Sequence, residues 1–188
     1  MTGYAMIDAL SDFAARMDQL RIAYMVTGSF AMNSYVPART TMGVDVILEI
    51  KGVDESRIES ALAGDYYVNV NSIRRALGDE SMFNVINNKE AVKIDCIVRK
   101  SSVFEKAKFE RRQRKTIFGA GFWVISKEDL ILSKLRWAAE SLSERQFIDV
   151  RALFESGVDR QYIDEWLGRE KLYGVWDEFE KWKIRVQK

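Results

Sequence analysis

The chain has 188 residues, 47% hydrophobic and 30% charged, enough apolar material for a folded core and too much for a disordered or low-complexity chain. Its 29 basic and 28 acidic residues leave a net charge of +1, which excludes a bulk polyelectrolyte binder; a nucleic-acid partner would have to meet a local basic patch. Histidine is absent and Cys96 is the single cysteine, so an intrachain disulfide, a His- or Cys-rich metal site and imidazole catalysis are all excluded.

The first predicted element is a helix, because Ile7, Leu10, Ala14, Met17 and Leu20 recur at spacings of three or four. An apolar run at 23–26 predicts a strand that ends in the turn Thr27-Gly28-Ser29. A short helix is expected over 30–35, stopped near Pro37, the only proline. The β-branched stretch 44–50 predicts a buried strand, and 54–63 suits a surface helix. Two further strands are expected at 81–86 and 91–98, joined by Asn87-Asn88-Lys89.

Residues 104–115 are heavily charged and carry Lys106, Lys108, Arg111, Arg112, Arg114 and Lys115. A solvated strand or hairpin is the favoured reading over a polynucleotide contact, because Glu105 and Glu110 interrupt the cluster. A short strand at 122–125 precedes Ser126, a helix N-cap followed by acidic Glu128 and Asp129. Ile131, Leu135, Ala138 and Leu142 continue that helix; others are expected over 144–154 and within 160–184, where Trp176, Phe179 and Trp182 read as a packing stripe. The expected fold class is therefore α/β (α+β), with a mixed core over 1–125 and a helical part over 126–188 packed on it. No run of 18 apolar residues and no basic leader before Tyr4 occur, so a cytoplasmic protein without a membrane partner is expected.

Four features carry candidate chemistry. Gly28-Ser29 at a strand-to-helix turn lets backbone approach a ligand and adds a hydroxyl, although a plain tight turn would also use Gly. Asp45 and Asp95 each interrupt an apolar strand, where an unpaired charge is costly. If the two strands are neighbours, the carboxylates converge, and oxygen ligands without His or Cys suit Mg²⁺ or Mn²⁺. The alternative is a solvent-facing Asp at a strand start. Lys134 borders an apolar helix face with Leu130 and Trp137 and reads either as a phosphate contact or as a snorkelling lysine.

Taken together, Gly28-Ser29, Arg39-x-Thr41-x-Gly43-x-Asp45 and Ile94-Asp95-Cys96 resemble the motifs of the nucleotidyltransferase superfamily that includes DNA polymerase β and the minimal nucleotidyltransferases. Lys134-Leu135 and Arg145-Gln146-x-x-Asp149 are similar to downstream motifs of its AbiEii-like branch, which includes toxins of toxin–antitoxin and phage-defence systems. The resemblance spans about residues 20–155. It implies a mixed-sheet nucleotidyltransferase core, a nucleoside triphosphate substrate, Mg²⁺ or Mn²⁺, a hydroxyl acceptor on RNA, protein or a small molecule, and an antitoxin protein as partner. By the same resemblance Asp45 is a metal ligand and Asp95 the carboxylate that activates the acceptor. Gly28, Ser29, Arg39, Thr41 and Lys134 would serve the nucleotide, and Asp149 would orient the helical site. The chain departs from the pattern at Gly43, where the family carries the first of two aspartates that normally share two metals. Glu49 is no substitute, lying roughly 13 Å further along an extended strand. A member that binds nucleotide or a partner without turnover is the alternative implied by that departure.

Overall fold

The computed structural model describes residues 3–37, 41, 43–141 and 143–186. The described residues form two compact units; the first holds the chain up to Ser34 and again from Thr41 to Ile125, and the second takes residues 35–37 and the chain from Ser126 onward.

In the first unit, helix α1 (Gly3–Gln19) leads into β1 (Tyr24–Thr27), the one-turn helix α2 (Gly28–Ala31) and a 3₁₀ turn at Met32–Ser34. Then come β2 (Gly43–Leu48), α3 (Glu55–Leu62), β3 (Tyr66–Tyr67), α4 (Val70–Asp79), β4 (Met82–Asn87) and β5 (Lys93–Val98). Helix α5 (Val103–Glu110), β6 (Gln113–Ile117) and β7 (Ala120–Val124) complete it. The seven strands make one mixed sheet in the order β3-β4-β5-β2-β1-β7-β6, with β2–β5 and β1–β7 parallel and the other pairs antiparallel. The fold is thus mixed α/β, as the sequence leads one to expect.

Alternation along the strands sorts the sheet into two faces. Val44, Val46 and Leu48 of β2, Ile94, Cys96 and Val98 of β5, and Phe83 and Val85 of β4 are buried on one face. Tyr66, opposite Asn87 on that face, donates its hydroxyl to the Ala9 carbonyl (2.9 Å) and to Asp12 (2.9 Å), and its ring meets Phe13 edge-on. That contact seats α1, with Leu10, Phe13 and Met17 wholly buried, against this side of the sheet.

Two helices differ from the sequence reading. Residues 70–79, to which the sequence reading assigns no element, form α4: Val70, Ile73, Ala76 and Leu77 recur at helical spacing, and Asn69 caps the helix, accepting from the Asn71 and Ser72 amides at 2.9 and 3.2 Å. The charged stretch expected as a strand or hairpin begins instead with α5, capped by Ser102, with Phe104 and Phe109 buried and Lys108 paired to Glu105 at 2.6 Å; only from Gln113 does it become strand β6.

The second unit is α6 (Lys127–Ser141), α7 (Glu144–Glu155), α8 (Arg160–Arg169) and α9 (Tyr173–Arg185). Ser126 starts α6 as expected: its hydroxyl donates to Asp129 Oδ2 (2.5 Å) and accepts from the Asp129 amide (3.2 Å), while Tyr162 donates to Asp129 Oδ1 (2.7 Å). Trp176, Phe179 and Trp182 are buried and pack on Phe147 and Phe154, as a packing stripe should. Leu142, expected on the apolar face of α6, lies outside the described residues.

Candidate functional site

The site is built by strand register. Asp45 on β2 is the parallel partner of Asp95 on β5, so both side chains leave the same face, on strands about 4.8 Å apart. Thr27 lies opposite Asp45 on its other side and Asn84 opposite Asp95, giving a polar row Thr27, Asp45, Asp95, Asn84 across four adjacent strands. The row faces away from the wall of Val, Ile and Cys side chains that covers α1.

The turn after β1 closes directly onto this row. Gly28 has φ +66°, and a Cβ placed there would stand 1.9 Å from Asp45 Oδ2. Both the left-handed backbone and the contact with a carboxylate exclude any side chain at this position. Ser29 follows, half-buried, in the first turn of α2, and Thr27 makes no side-chain cap bond to that turn. The helix expected over 30–35 is in fact one α turn running into the 3₁₀ turn, so the amides near the aspartates come from a tight turn and not from a long helix. Thr41 donates its hydroxyl to the Gly43 carbonyl at 3.2 Å and so shapes the entry to β2. Arg39, also expected here, lies outside the described residues.

Asp95 is largely buried. Its Oδ2 accepts from Lys93 Nζ at 2.8 Å, while Oδ1 is buried and has no hydrogen-bond partner among the described residues. A carboxylate oxygen left in that state is costly unless a cation or a proton donor completes it. The donor set suits a hard cation of the Mg²⁺ kind, which is commonly held by one or two carboxylates with water and substrate phosphates filling the remaining positions. Among the described residues no cluster of three Asp, Glu, Cys or His side chains surrounds a common point, so the acidic pair is all that this face offers. Glu49 is committed to Arg99. Cys96 points to the buried face, and burial, followed by the charge of Asp95, pushes its thiol well above the usual range, leaving it unreactive.

Sequence reasoning missed Lys93. It is the register partner of Gly43, two positions before Asp95 and on the same face, and strand alternation is the signal that finds it. A Cβ on Gly43 would lie 3.2 Å from the Lys93 carbonyl oxygen and 3.8 Å from its Cε. The aliphatic stem of Lys93 therefore runs over the position from which a side chain at residue 43 would project.

Lys134 and Asp149 belong to the second unit and meet each other. Lys134 Nζ bonds Asp149 Oδ2 at 2.7 Å and reaches Gln146 Oε1 at 3.4 Å, with both charged side chains at 5% exposure or less. Lys134, expected at a triphosphate or as a snorkelling lysine, is thus ion-paired and buried together with Asp149. Trp137, expected beside it, is exposed.

Comparison with solved structures places this fold among known ones. The chain superposes on the solution structure of the antibiotic-resistance factor ANT(2'')-Ia with a TM-score of 0.57 at 14% identity, over 99% of this chain and 97% of that one. It superposes equally on the crystal structure of ANT(2'')-Ia in complex with adenylyl-2''-tobramycin, with a TM-score of 0.57 at 15% identity over 96% and 98% of the two chains. The architecture is that of the nucleotidyltransferase fold. A looser likeness, TM-score 0.46 at 11% identity over 84% of this chain and 99% of the other, links it to the lincomycin-bound lincosamide antibiotic adenylyltransferase LnuA. No family model matches the sequence, and no curated protein matches it. No helix among the described residues is long and apolar enough to cross a membrane.

Proposed function

We propose that the protein transfers a nucleoside monophosphate from a nucleoside triphosphate to a hydroxyl acceptor, with Mg²⁺ or Mn²⁺ held by Asp45 and Asp95. The observation that carries this reading is the register pairing of the two aspartates on one sheet face, closed on one side by the Gly28 turn. In this reading the backbone of Gly28 and the hydroxyl of Ser29 hold phosphate oxygens, and Arg39 and Thr41 shape the loop beside them. Asp95 Oδ1, unpartnered and buried, takes the proton of the acceptor hydroxyl. The acceptor oxygen then bonds the α-phosphorus as the bond to the leaving pyrophosphate breaks. The bound cation supplies neutralisation of charge on the attacking and leaving oxygens. Lys134 and Asp149 pair with each other across α6 and α7, and this reading gives them no direct part in these steps.

The acceptor class is best sought first among small polyhydroxylated amines, because the fold neighbour ANT(2'')-Ia is seen with an adenylylated aminoglycoside. RNA or protein acceptors, an antitoxin partner and a role in a toxin–antitoxin or phage-defence system follow from the AbiEii-like resemblance and form the second arm of the test. The protein is incubated with nucleoside triphosphates labelled at the α-phosphate, Mg²⁺ and each acceptor class. Label is expected on one class. Asp45→Asn and Asp95→Asn are expected to lower transfer by about 100-fold or more, since even groups that merely orient a metal ligand are worth 10- to 100-fold.

Gly43 and the Lys93–Asp95 ion pair favour a second reading, a member that binds nucleotide without turnover. Calorimetry with triphosphate and Mg²⁺ separates the two: binding with no labelled product supports the second reading, and binding by no nucleotide at all overturns both.

A further inference from the structure

The first aspartate of the family's pair is absent at Gly43, and the residue opposite it in the sheet is a cation. Lys93 is not an ordinary surface lysine. Its Cε lies 3.8 Å from where a Gly43 Cβ would be, and its Nζ sits 2.8 Å from Asp95 Oδ2. The ammonium therefore stands beside the acidic pair, on the side from which the first carboxylate would have entered. Its side chain is half-exposed, so the head is reachable by a ligand arriving on that face. An ammonium is a compact charge on a flexible stem and can turn from a carboxylate to a phosphate oxygen without backbone movement.

We infer that Lys93 does the work of a second divalent cation: its ammonium supplies positive charge to the substrate phosphates over Gly43, and the site takes a single metal ion, held by Asp45 and Asp95. This deepens the nucleotidyl-transfer reading and rests on it. The charge balance is coherent. Removing one carboxylate from the site removes the ligand that two cations would share, and a lysine in its place restores positive charge without needing a ligand. Lys93 is on this account a phosphate-binding residue, while its bond to Asp95 parks the ammonium until substrate arrives.

The test counts metal in the intact protein. Mn²⁺ is titrated into protein saturated with a non-hydrolysable triphosphate analogue, and free Mn²⁺ is read from its EPR signal. The wild type is expected to take up one Mn²⁺ per complex, and the double variant Gly43→Asp, Lys93→Ala two. With metal removed by chelator, Lys93→Ala is expected to hold the analogue about ten-fold more weakly, the scale of one hydrogen bond to a charged group, with Lys93→Arg restoring it. A merely structural lysine would move neither the count nor the metal-free affinity. Two Mn²⁺ ions in the wild type, or an unchanged metal-free affinity in Lys93→Ala, overturns the inference. Should the double variant fail to fold, the single variant still decides. If no form of the protein holds the analogue, the nucleotidyl reading itself has failed, an outcome distinct from the other two.

Discussion

A buried ammonium facing a buried carboxylate gives little net stability while intact but is expensive to break, because the survivor is left charged in a dry setting. Lys134 and Asp149 are such a pair, joining α6 to α7 at 2.7 Å and almost wholly buried. Lys134→Met is expected to lower the free energy of unfolding by about 3–5 kcal/mol, and Lys134→Met combined with Asp149→Leu to recover most of that loss. Urea titrations of the two variants check it; equal losses in both would show that the pair does not act as a unit. Sequence reasoning flagged both residues separately, Lys134 as a phosphate contact or a snorkelling lysine and Asp149 as orienting the helical site, because nothing in a sequence ties two opposite charges fifteen positions apart on separate helices. The aspartates were easier to find. A lone carboxylate in Val44-Asp45-Val46 or Ile94-Asp95-Cys96 conflicts with its apolar neighbours, and that conflict singles the two out as candidates. Lys93 sits at a strand start, where a lysine conflicts with nothing, so only its register with Gly43 draws attention to it.

At the scale of single elements, most of the chain announces itself by its apolar period, and the failures have a local cause. Helix α4 does carry an apolar period, Val70, Ile73, Ala76 and Leu77 with Ile73 and Ala76 buried, which the sequence reading passes over; its ends are held as well. At its C-terminus Glu80 takes the left-handed conformation, φ 46°, and its carboxylate accepts from Lys51 and from the Ser101 hydroxyl and amide, the latter two at 2.6 and 3.1 Å. The lysine, then the serine donors, hold the Glu80 carboxyl down at about 2, against an ordinary value of 4.5. A lowered folded-state value means that the stabilisation is fully present above about pH 4.5 and is lost as pH falls toward about 2. The urea midpoint of the wild type should accordingly fall through that window, and Glu80→Gln should start lower at neutral pH and show a shallower fall. Parallel curves for the two proteins would place the acid sensitivity elsewhere. Helix α5 is hidden by its charges: Phe104 and Phe109 are its large buried apolar anchors, and the Ser102 cap with the Glu105–Lys108 pair supplies the rest.

For the molecule as a whole, near balance of charge sets the colloidal behaviour. With a net charge of +1 and an isoelectric point near 7.7, the protein lacks a long-range field either to repel its own copies or to draw in a polyanion. Solubility is expected to pass through a minimum near pH 7.7 and to rise on both sides, which precipitation measured across a pH series at fixed ionic strength would check. A minimum displaced well away from that value would show that the folded molecule conceals a biased set of its charges. One consequence of the β2–β5 pairing reaches beyond the finished protein. Asp45 gains Asp95 as a neighbour only after α3, β3, α4 and β4 have been made and the chain has come back to lay a parallel strand beside β2. A nascent polypeptide on the ribosome, or a truncated translation product, carries one half of the acidic pair without the other. Any property that needs both carboxylates side by side is therefore withheld until β5 is in place.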